Sequence, residues 1–333
     1  MSSSAVLNID NLSLEFPAYR SNVQALNGVS LHVNPGEIVG VVGESGSGKS
    51  VTAMLSLRLL PERSYRITSG SLSLLGRDML ATPEKQLLQI RGRDAAMIFQ
   101  EPMTALNPTR RIGRQMLDVI IHHQRLSQEQ ARAKAIDLLR DMHIADPEQV
   151  LQAYPFELSG GMRQRVMIAL AFSCDPQLLI ADEPTTALDV TVQRQVLLLL
   201  REKARQRGTA ILLITHDMAV VSQFCDRVYV MYTGAVVEQG STAQVMLDPQ
   251  HPYTRGLLSG LPEQVRPGEP LLTIPGQVPN LAHLPGGCTF RERCSQAMAV
   301  CAQRPPLHSI NASQQHKSCL LYTSPSPRDV EES

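Results

Sequence analysis

The stretch that decides the fold is GESGSGKS, at positions 43–50. It follows a short apolar run and precedes VTAMLSL, so it lies between a predicted buried strand and a predicted helix. In that setting it fits G-x-x-x-x-G-K-[ST], the pattern of a loop that cradles phosphate groups. The glycines let the backbone turn its N–H groups inward, and the helix N-terminus adds about half a positive charge.

Two side chains at the end of this loop have distinct chemical roles. Lys49 can reach the β- and γ-phosphates, and the Ser50 hydroxyl can bind Mg²⁺. A chance glycine-rich turn is the alternative, and such a match arises in roughly one chain of this length in a hundred. The predicted nucleotide-binding residues of the loop are Gly43, Glu44, Ser45, Gly46, Ser47, Gly48, Lys49, Ser50 and Val51.

Polar groups follow three other apolar runs. LLIADEP predicts a buried strand that ends in two acids, of which Asp182 could hold the water shell of Mg²⁺. Glu183, one residue on, points elsewhere and could orient or deprotonate the attacking water. His216 could contact the γ-phosphate, and the amide of Gln100 could touch metal and water. Each residue would be unremarkable alone, but beside a phosphate loop they indicate nucleotide hydrolysis.

A second phosphate-binding turn is indicated by LSGGMRQR, at 158–165, which precedes the helix-like run VMIALAF. A serine and two glycines before a helix form an anion-binding nest. One nucleotide cannot occupy two nests on opposite sides of one domain unless something brings them together.

In order, GESGSGKS, Gln100, LSGGM, LLIADEP, TALD and His216 resemble the ATP-binding subunits of ABC transporters over about residues 5–250. The resemblance implies an α/β fold, a P-loop ABC-type nucleotide-binding domain. Its parts would be a parallel core sheet, an antiparallel β subdomain and a helical subdomain at about 85–160. ATP and Mg²⁺ are the implied cofactors.

The resemblance also implies that two such domains pair head to tail. Ser159, Gly160 and Gly161 would bind the γ-phosphate of ATP held by the partner's phosphate loop. Asp189 would lie at the dimer seam and couple the two sites. The adenine would stack on Phe16, with Tyr19 as the second candidate.

HPYTRGLL, IFQEPMTALNP and ADEPTTALDVTVQ resemble the oligopeptide, dipeptide and nickel importer branch. MTALNPTRRIG and YPFELSGGMRQRVMIALAFSC most resemble the ATPase subunit of D-alanyl-D-alanine dipeptide permeases. The implied function is ATP-driven import of dipeptides or oligopeptides, with nickel or another small solute as the alternative. The implied partners are a second ATPase subunit, two transmembrane permeases and a periplasmic or extracellular substrate-binding protein. Branch precedent favours a heterodimer over a homodimer.

Composition and charge exclude other classes. Lys+Arg and Asp+Glu number 31 each, which argues against nucleic acid as a partner. No secretory signal is visible, and no apolar stretch approaches the roughly 20 residues that span a bilayer. These features predict a cytosolic chain, and the resemblance to importer subunits implies a peripheral position on the cytoplasmic side of the bacterial inner membrane. A soluble ABC ATPase of translation or repair usually carries two nucleotide domains or coiled-coil insertions, and this chain shows neither.

CTFRERCSQAMAVC, at 288–301, crowds three thiols together, and a fourth follows. A reducing cytosol disfavours disulfides, so metal binding is the better expectation. Within the branch these cysteines resemble ligands of a [4Fe–4S] cluster, with Zn²⁺ as the alternative. Four unlinked thiols, and a metal-sensing regulator, are further alternatives. The candidate ligands are Cys288, Cys294, Cys301 and Cys319, whereas Cys174 and Cys225 are predicted to lie in the core.

Prolines become dense after about residue 250, so we predict an ATPase domain at 1–250 and a small irregular extension at 251–319. The tail at 320–333 is polar and proline-rich, which predicts disorder. CLLYTSPSPRD resembles a translated sequencing adapter, so we expect that the natural gene is truncated here and that the tail is artefactual. Cys319 is then either adapter-encoded or a real ligand at the junction.

Overall fold

The computed structural model describes residues 5–19, 21–100, 105–186, 188–261, 273–310 and 315–320. The strands are β1 (Leu7–Phe16), β2 (Val23–Val33), β3 (Ile38–Val42), β4 (Arg66–Leu74), β5 (Arg77–Asp78), β6 (Ala95–Ile98), β7 (Leu178–Asp182), β8 (Ala210–Thr215), β9 (Arg227–Tyr232), β10 (Ala235–Ser241), β11 (Leu307–Ser309) and β12 (Lys317–Cys319). The helices are α1 (Lys49–Ser56), α2 (Glu84–Ile90), α3 (Ile112–Gln124), α4 (Gln128–Asp141), α5 (Pro147–Gln152), α6 (Gly160–Ala171), α7 (Val190–Arg207), α8 (Met218–Phe224), α9 (Thr242–Leu247) and α10 (Pro252–Ser259).

The core sheet has the strand order β11-β12-β10-β9-β3-β8-β7-β6. The strands from β9 to β6 are parallel, and every residue of β3, β7 and β8 is buried. Apolar cover on both faces is why these strands show as continuous apolar runs in the sequence. Since parallel strands end at one edge, the loops after β3, β6, β7 and β8 meet there.

A second sheet, β2-β1-β4-β5, is antiparallel and packs beside the core sheet. A tight turn joins β2 to β3, closed by the N–H of Glu37, which donates to the carbonyl of Asn34 (3.1 Å). This turn delivers the chain from the antiparallel sheet to the strand that precedes the phosphate loop. The mixed α/β architecture predicted from the sequence is confirmed.

The helical layer lies against the other end of the core sheet. Helix α4 begins with a capping box formed by Ser127 and Gln130, and Ala135 and Leu138 are buried on its inner face. The helical subdomain predicted at about 85–160 stays a prediction, and the same range also contains the strand β6 at Ala95–Ile98. That short apolar run pairs with β7 and joins the core sheet, while the helices continue through α6 to Ala171.

The described part of 273–320 holds only short elements: β11, β12 and the 3₁₀ turns Arg291–Arg293 and Ala299–Ala302. Strand β12 pairs antiparallel with β10, so residues up to Cys319 extend the core sheet. On β10, the buried Glu238 carboxylate accepts hydrogen bonds from the N–H groups of Gln250 (2.8 Å) and His251 (2.9 Å). It also lies 2.8 Å from His316 Nε2.

The proposed domain boundary at residue 250 stays a prediction. The chain beyond Leu320, including the suspected artefactual tail, lies outside the described residues. In the portion that is described, no helix combines the length and hydropathy that a membrane crossing needs.

Candidate nucleotide-binding site

The loop at 43–48 joins β3 to α1 and lies directly against neighbouring backbone. A Cβ atom at Gly48, where φ is +97°, would lie 2.7 Å from the carbonyl oxygen of Ala25. A Cβ at Gly43 would lie 2.1 Å from that of Met231. Only glycine fits such approaches, so the pattern of the loop follows from its packing as well as from phosphate binding.

Lys49 holds this loop from inside. Its ammonium group donates hydrogen bonds to the carbonyl oxygens of Gly43 (2.7 Å) and Glu44 (2.9 Å). Burial lowers the pKa of Lys49, and the nearby carboxylates of Glu183, Asp182 and Glu44 oppose that shift.

Two oxygen groups suited to Mg²⁺ lie side by side below the loop. The hydroxyl of Ser50 donates to Oδ1 of Asp182 across 3.2 Å, joining the start of α1 to the end of β7. The pKa of Asp182 is raised overall, because the effect of burial outweighs the hydrogen bond from Ser50, which lowers it. Mg²⁺ prefers hard oxygen ligands and keeps several waters, so this pair fits the ion.

Glu183 is held by groups from three segments. Gln100 Nε2 and Thr186 Oγ1 each donate to Oε2 (3.0 Å), and His216 Nδ1 lies 3.0 Å from Oε1. Burial raises the pKa of Glu183, but the hydrogen bonds from His216 and Thr186 outweigh it, so the pKa is lowered overall. Its φ of 45° lies in the left-handed region, which a non-glycine residue keeps only where the surrounding structure holds it.

These groups surround a cavity of about 880 Å³. Its walls include the whole loop at 43–51, together with Phe16, Gln100, Glu183 and His216. Tyr19 is fully exposed and does not line the cavity, so Phe16 is the better placed adenine-stacking candidate.

Ser159, Gly160 and Gly161 lie elsewhere and do not line this cavity. Ser159 caps α6, its hydroxyl accepting from the N–H of Met162 (3.3 Å), and it is exposed. A Cβ atom at Gly161 would lie 3.1 Å from Val192 Cγ1 in α7, and the carboxylate of Asp189 caps that helix. The structure therefore brings Ser159, Gly160, Gly161 and Asp189 together on a second exposed surface.

Cys288, Cys294, Cys301 and Cys319 line one cavity of about 360 Å³. Two sulfur atoms accept backbone hydrogen bonds, Cys294 from Gln296 and Cys301 from Met298 (3.4 Å each). Within the described residues, no three His, Cys, Asp or Glu side chains are grouped closely enough to hold a metal ion. Cys225 is buried as predicted, whereas Cys174 is only half-buried.

Several residues at the nucleotide cavity were not predicted from the sequence. Thr186 contacts Glu183, and Leu257, Val278 and Leu281 form part of the cavity wall. Tyr253 and Arg293 contact the phosphate loop itself. The HPYT stretch signalled only family membership, and no local pattern connects residues so far apart in the chain.

Comparison with known proteins agrees with this geometry. Residues 26–186 match the family described as ABC transporter, and residues 237–301 match the oligopeptide/dipeptide transporter C-terminal region. The probable D,D-dipeptide transport ATP-binding protein DdpD of Escherichia coli (strain K12) is 64% identical over 94% of this chain and 96% of its own length. The oligopeptide transport ATP-binding protein AppD of Bacillus subtilis (strain 168) is 45% identical over 96% of this chain and 97% of its own.

Solved structures give the same fold. The dimeric ATP-binding cassette MJ0796, bound to ADP and Pi, matches with a TM-score of 0.63 at 26% identity, covering 71% of this chain and 98% of that one. From its sequence, its fold and its site, the chain belongs to the ATP-binding subunits of ABC transporters, in the branch with the oligopeptide/dipeptide transporter C-terminal region.

Proposed function

We propose that this transport ATPase powers the import of dipeptides, including D,D-dipeptides, through a membrane ABC transporter. The observation that carries the proposal is the 64% identity to the D,D-dipeptide transport subunit over nearly the full length of both chains. The test is uptake of labelled D-alanyl-D-alanine by cells that lack this chain and by the same cells with it restored. Uptake that depends on the chain supports the proposal, and chain-dependent uptake of Ni²⁺ alone contradicts it.

The carboxylate of Glu183 performs the central chemical task, because it can orient the attacking water and accept its proton. Its hydrogen bonds keep it ionised and aimed into the cavity. Exposed His216 lies on the same wall, where it can contact the γ-phosphate. Ser50 and Asp182 would hold Mg²⁺, which would neutralise phosphate charge.

The groups that would complete the phosphate-binding site come from another cassette. Supporting this, Ser159, Gly160 and Gly161 are at the surface but outside the chain's own nucleotide cavity. The solved cassettes of this fold include dimers. ATP would join two cassettes because its phosphates satisfy two nests at once, and hydrolysis would release them. We favour a homologous second subunit as the partner, so we expect co-purification from membranes to yield two ATPases, and recovery of this ATPase alone would contradict the heterodimer.

A groove next to Gln100 is suited to the permease subunits. It measures about 270 Å³ and is lined largely by apolar side chains, among them Leu57, Met97, Phe99 and Val119. Phe99 is 42% exposed and directly precedes Gln100, whose amide donates a hydrogen bond to Glu183. A permease that displaces Phe99 would therefore also displace the hydrogen-bond partner of Glu183. Residues 101–104 of the same segment lie outside the described residues. This docking would keep the chain peripheral, on the cytoplasmic side of the inner membrane.

The extension with its four cysteines is proposed to bind a [4Fe–4S] cluster rather than Zn²⁺. The support for this proposal is that Cys288, Cys294, Cys301 and Cys319 line one cavity, and that four thiolates are the usual ligand set of such a cluster. Hydrogen bonds to cysteine sulfur, such as those to Cys294 and Cys301, are a recognised means of tuning such clusters.

The cluster is tested on chain purified without oxygen. We expect iron and acid-labile sulfide in equal amounts, with a visible absorption band that Cys294→Ser abolishes. Stoichiometric zinc without sulfide would support the alternative. Cys174→Ser is the matched control, because this cysteine lies outside the cavity.

A further inference from the structure

The cysteine-bearing extension reaches the phosphate loop through one buried arginine. Arg293, directly before Cys294, donates through Nη1 to Glu44 Oε2 (2.7 Å) and through Nη2 to Glu44 Oε1 (3.0 Å). Its Nε donates to the carbonyl of Pro275 (2.9 Å). The Arg293 side chain is 4% exposed and that of Glu44 31%, so this paired contact is largely shielded from water.

The same glutamate is held a second time, through its backbone. The N–H of Glu44 donates to the hydroxyl of Tyr253 (2.8 Å), which comes from the HPYT stretch and is fully buried. Tyr253, Tyr232 and Phe290 form an aromatic cluster with ring centroids 4.7–5.4 Å apart. The Arg293 guanidinium lies 5.8 Å from the Tyr232 ring. Phe290 also lines the thiol cavity, so this cluster separates that cavity from the phosphate loop.

We propose that Arg293 and Tyr253 are positioning residues for the phosphate loop, so that the extension completes the nucleotide site of this chain. Glu44 is the second residue of the loop, and its carboxylate would repel bound phosphates if it turned toward them. Arg293 neutralises that charge and fixes its direction, while Tyr253 fixes the backbone at the same residue. The inference does not depend on the cargo or on what the thiols bind.

The test measures the affinity of the full chain for ADP by calorimetry, together with its thermal unfolding midpoint. ADP avoids both hydrolysis and ATP-driven pairing. We expect Arg293→Ala to weaken ADP binding roughly tenfold, since it breaks a shielded paired ionic contact. In a Glu44→Gln background, the same substitution should cost less than about threefold, because the charge that it releases is gone.

A merely structural role gives a different pattern. Arg293→Ala would then lower the unfolding midpoint without the predicted pattern in ADP affinity. If Arg293→Ala leaves ADP affinity unchanged, or weakens it equally in the wild-type and Glu44→Gln backgrounds, the proposal is overturned. Arg304→Ala is the matched control, because Arg304 also ties the extension to the ATPase domain, through Asn27 (2.6 Å), but does not touch the phosphate loop.

Tyr253→Phe keeps the proposal testable if Arg293→Ala does not fold. It removes one hydroxyl and leaves the aromatic packing, so we expect ADP affinity to fall severalfold with little change in the unfolding midpoint. Unchanged ADP affinity in Tyr253→Phe contradicts the proposal.

Discussion

At the residue scale, Glu183 is the side chain that we propose to orient the attacking water and accept its proton. It follows the last residue of β7, and its hydrogen bonds come from segments that end at the same sheet edge. Their meeting follows from parallel strand order, which is why the apolar runs before Gln100, Glu183 and His216 allowed the site to be predicted. Thr186 was missed because a threonine three residues on carries no distinctive signal.

Replacing Glu183 with Gln removes the proton acceptor and keeps the size of the side chain. We expect ATP turnover to fall by about 10²–10⁴, while nucleotide binding persists and an ATP-bound dimer accumulates. Steady-state phosphate release and sedimentation with ATP check these outcomes. Glu202→Gln, at an exposed site on α7, is the control. Wild-type turnover in Glu183→Gln would remove this residue from its role.

Alanine substitutions at Gly48 and Gly46 distinguish two reasons for glycine in the phosphate loop, namely close packing and backbone conformation. Both have positive φ, but a Cβ at Gly48 meets the Ala25 carbonyl at 2.7 Å, whereas nothing lies within 4 Å of one at Gly46. Gly48→Ala should therefore abolish nucleotide binding or cost about 1–3 kcal/mol more stability than Gly46→Ala. Chemical denaturation and ADP titration measure both. Equal effects of the two substitutions would show that packing is not the reason for glycine at position 48.

At the element scale, the two sheets are fastened by a polar network. Arg227 of β9 donates to the carbonyl of His32 in β2 (2.7 Å) and to the carboxylate of Glu37 before β3 (2.8 Å). The Tyr229 hydroxyl accepts from the N–H of His32 (3.1 Å). The strands themselves were predictable from apolar runs, but this network joins residues almost 200 positions apart, and sequence pattern shows no such pairing.

The network predicts a pH dependence of stability. Burial, and then Arg227, lowers the pKa of His32 below its ordinary 6.5. The unfolded chain thus takes up a proton that the folded protein refuses, so stability falls as pH drops below about 6.5 and levels off below the folded-state pKa. The pKa of Glu37 is also lowered, so its contribution is lost only in more acidic solution.

His32→Gln should flatten this dependence. We compare urea unfolding midpoints at about pH 7.5 and 5.5, where the wild type should lose more stability than the variant. Other histidines contribute equally to both proteins, so the difference isolates His32. An identical loss in the two proteins would mean that His32 is not kept neutral by the fold.

At the scale of the whole molecule, the chain presents two separate surfaces that carry the predicted nucleotide motifs. One holds the phosphate loop, the proposed Mg²⁺ ligands and Glu183, and the other holds Ser159, Gly160, Gly161 and Asp189. The motifs indicated both surfaces because each motif is a short local stretch, even where the structure brings distant motifs together. The contribution of the extension to the first surface was not predictable, since Arg293 and Glu44 are 249 positions apart.

The central claim is that the Ser159 turn serves the nucleotide of a partner cassette, and Ser159→Asp tests it most directly. Asp can replace Ser as the cap of α6 but repels phosphate, while Ser159→Asn provides an uncharged cap as control. We compare ADP affinity of the isolated chain with ATP turnover of the transporter purified with its partners. The account predicts unchanged affinity for both variants and turnover lost about 10²-fold or more only with Asp. Wild-type turnover in Ser159→Asp, or loss of ADP affinity in the isolated chain, would contradict it.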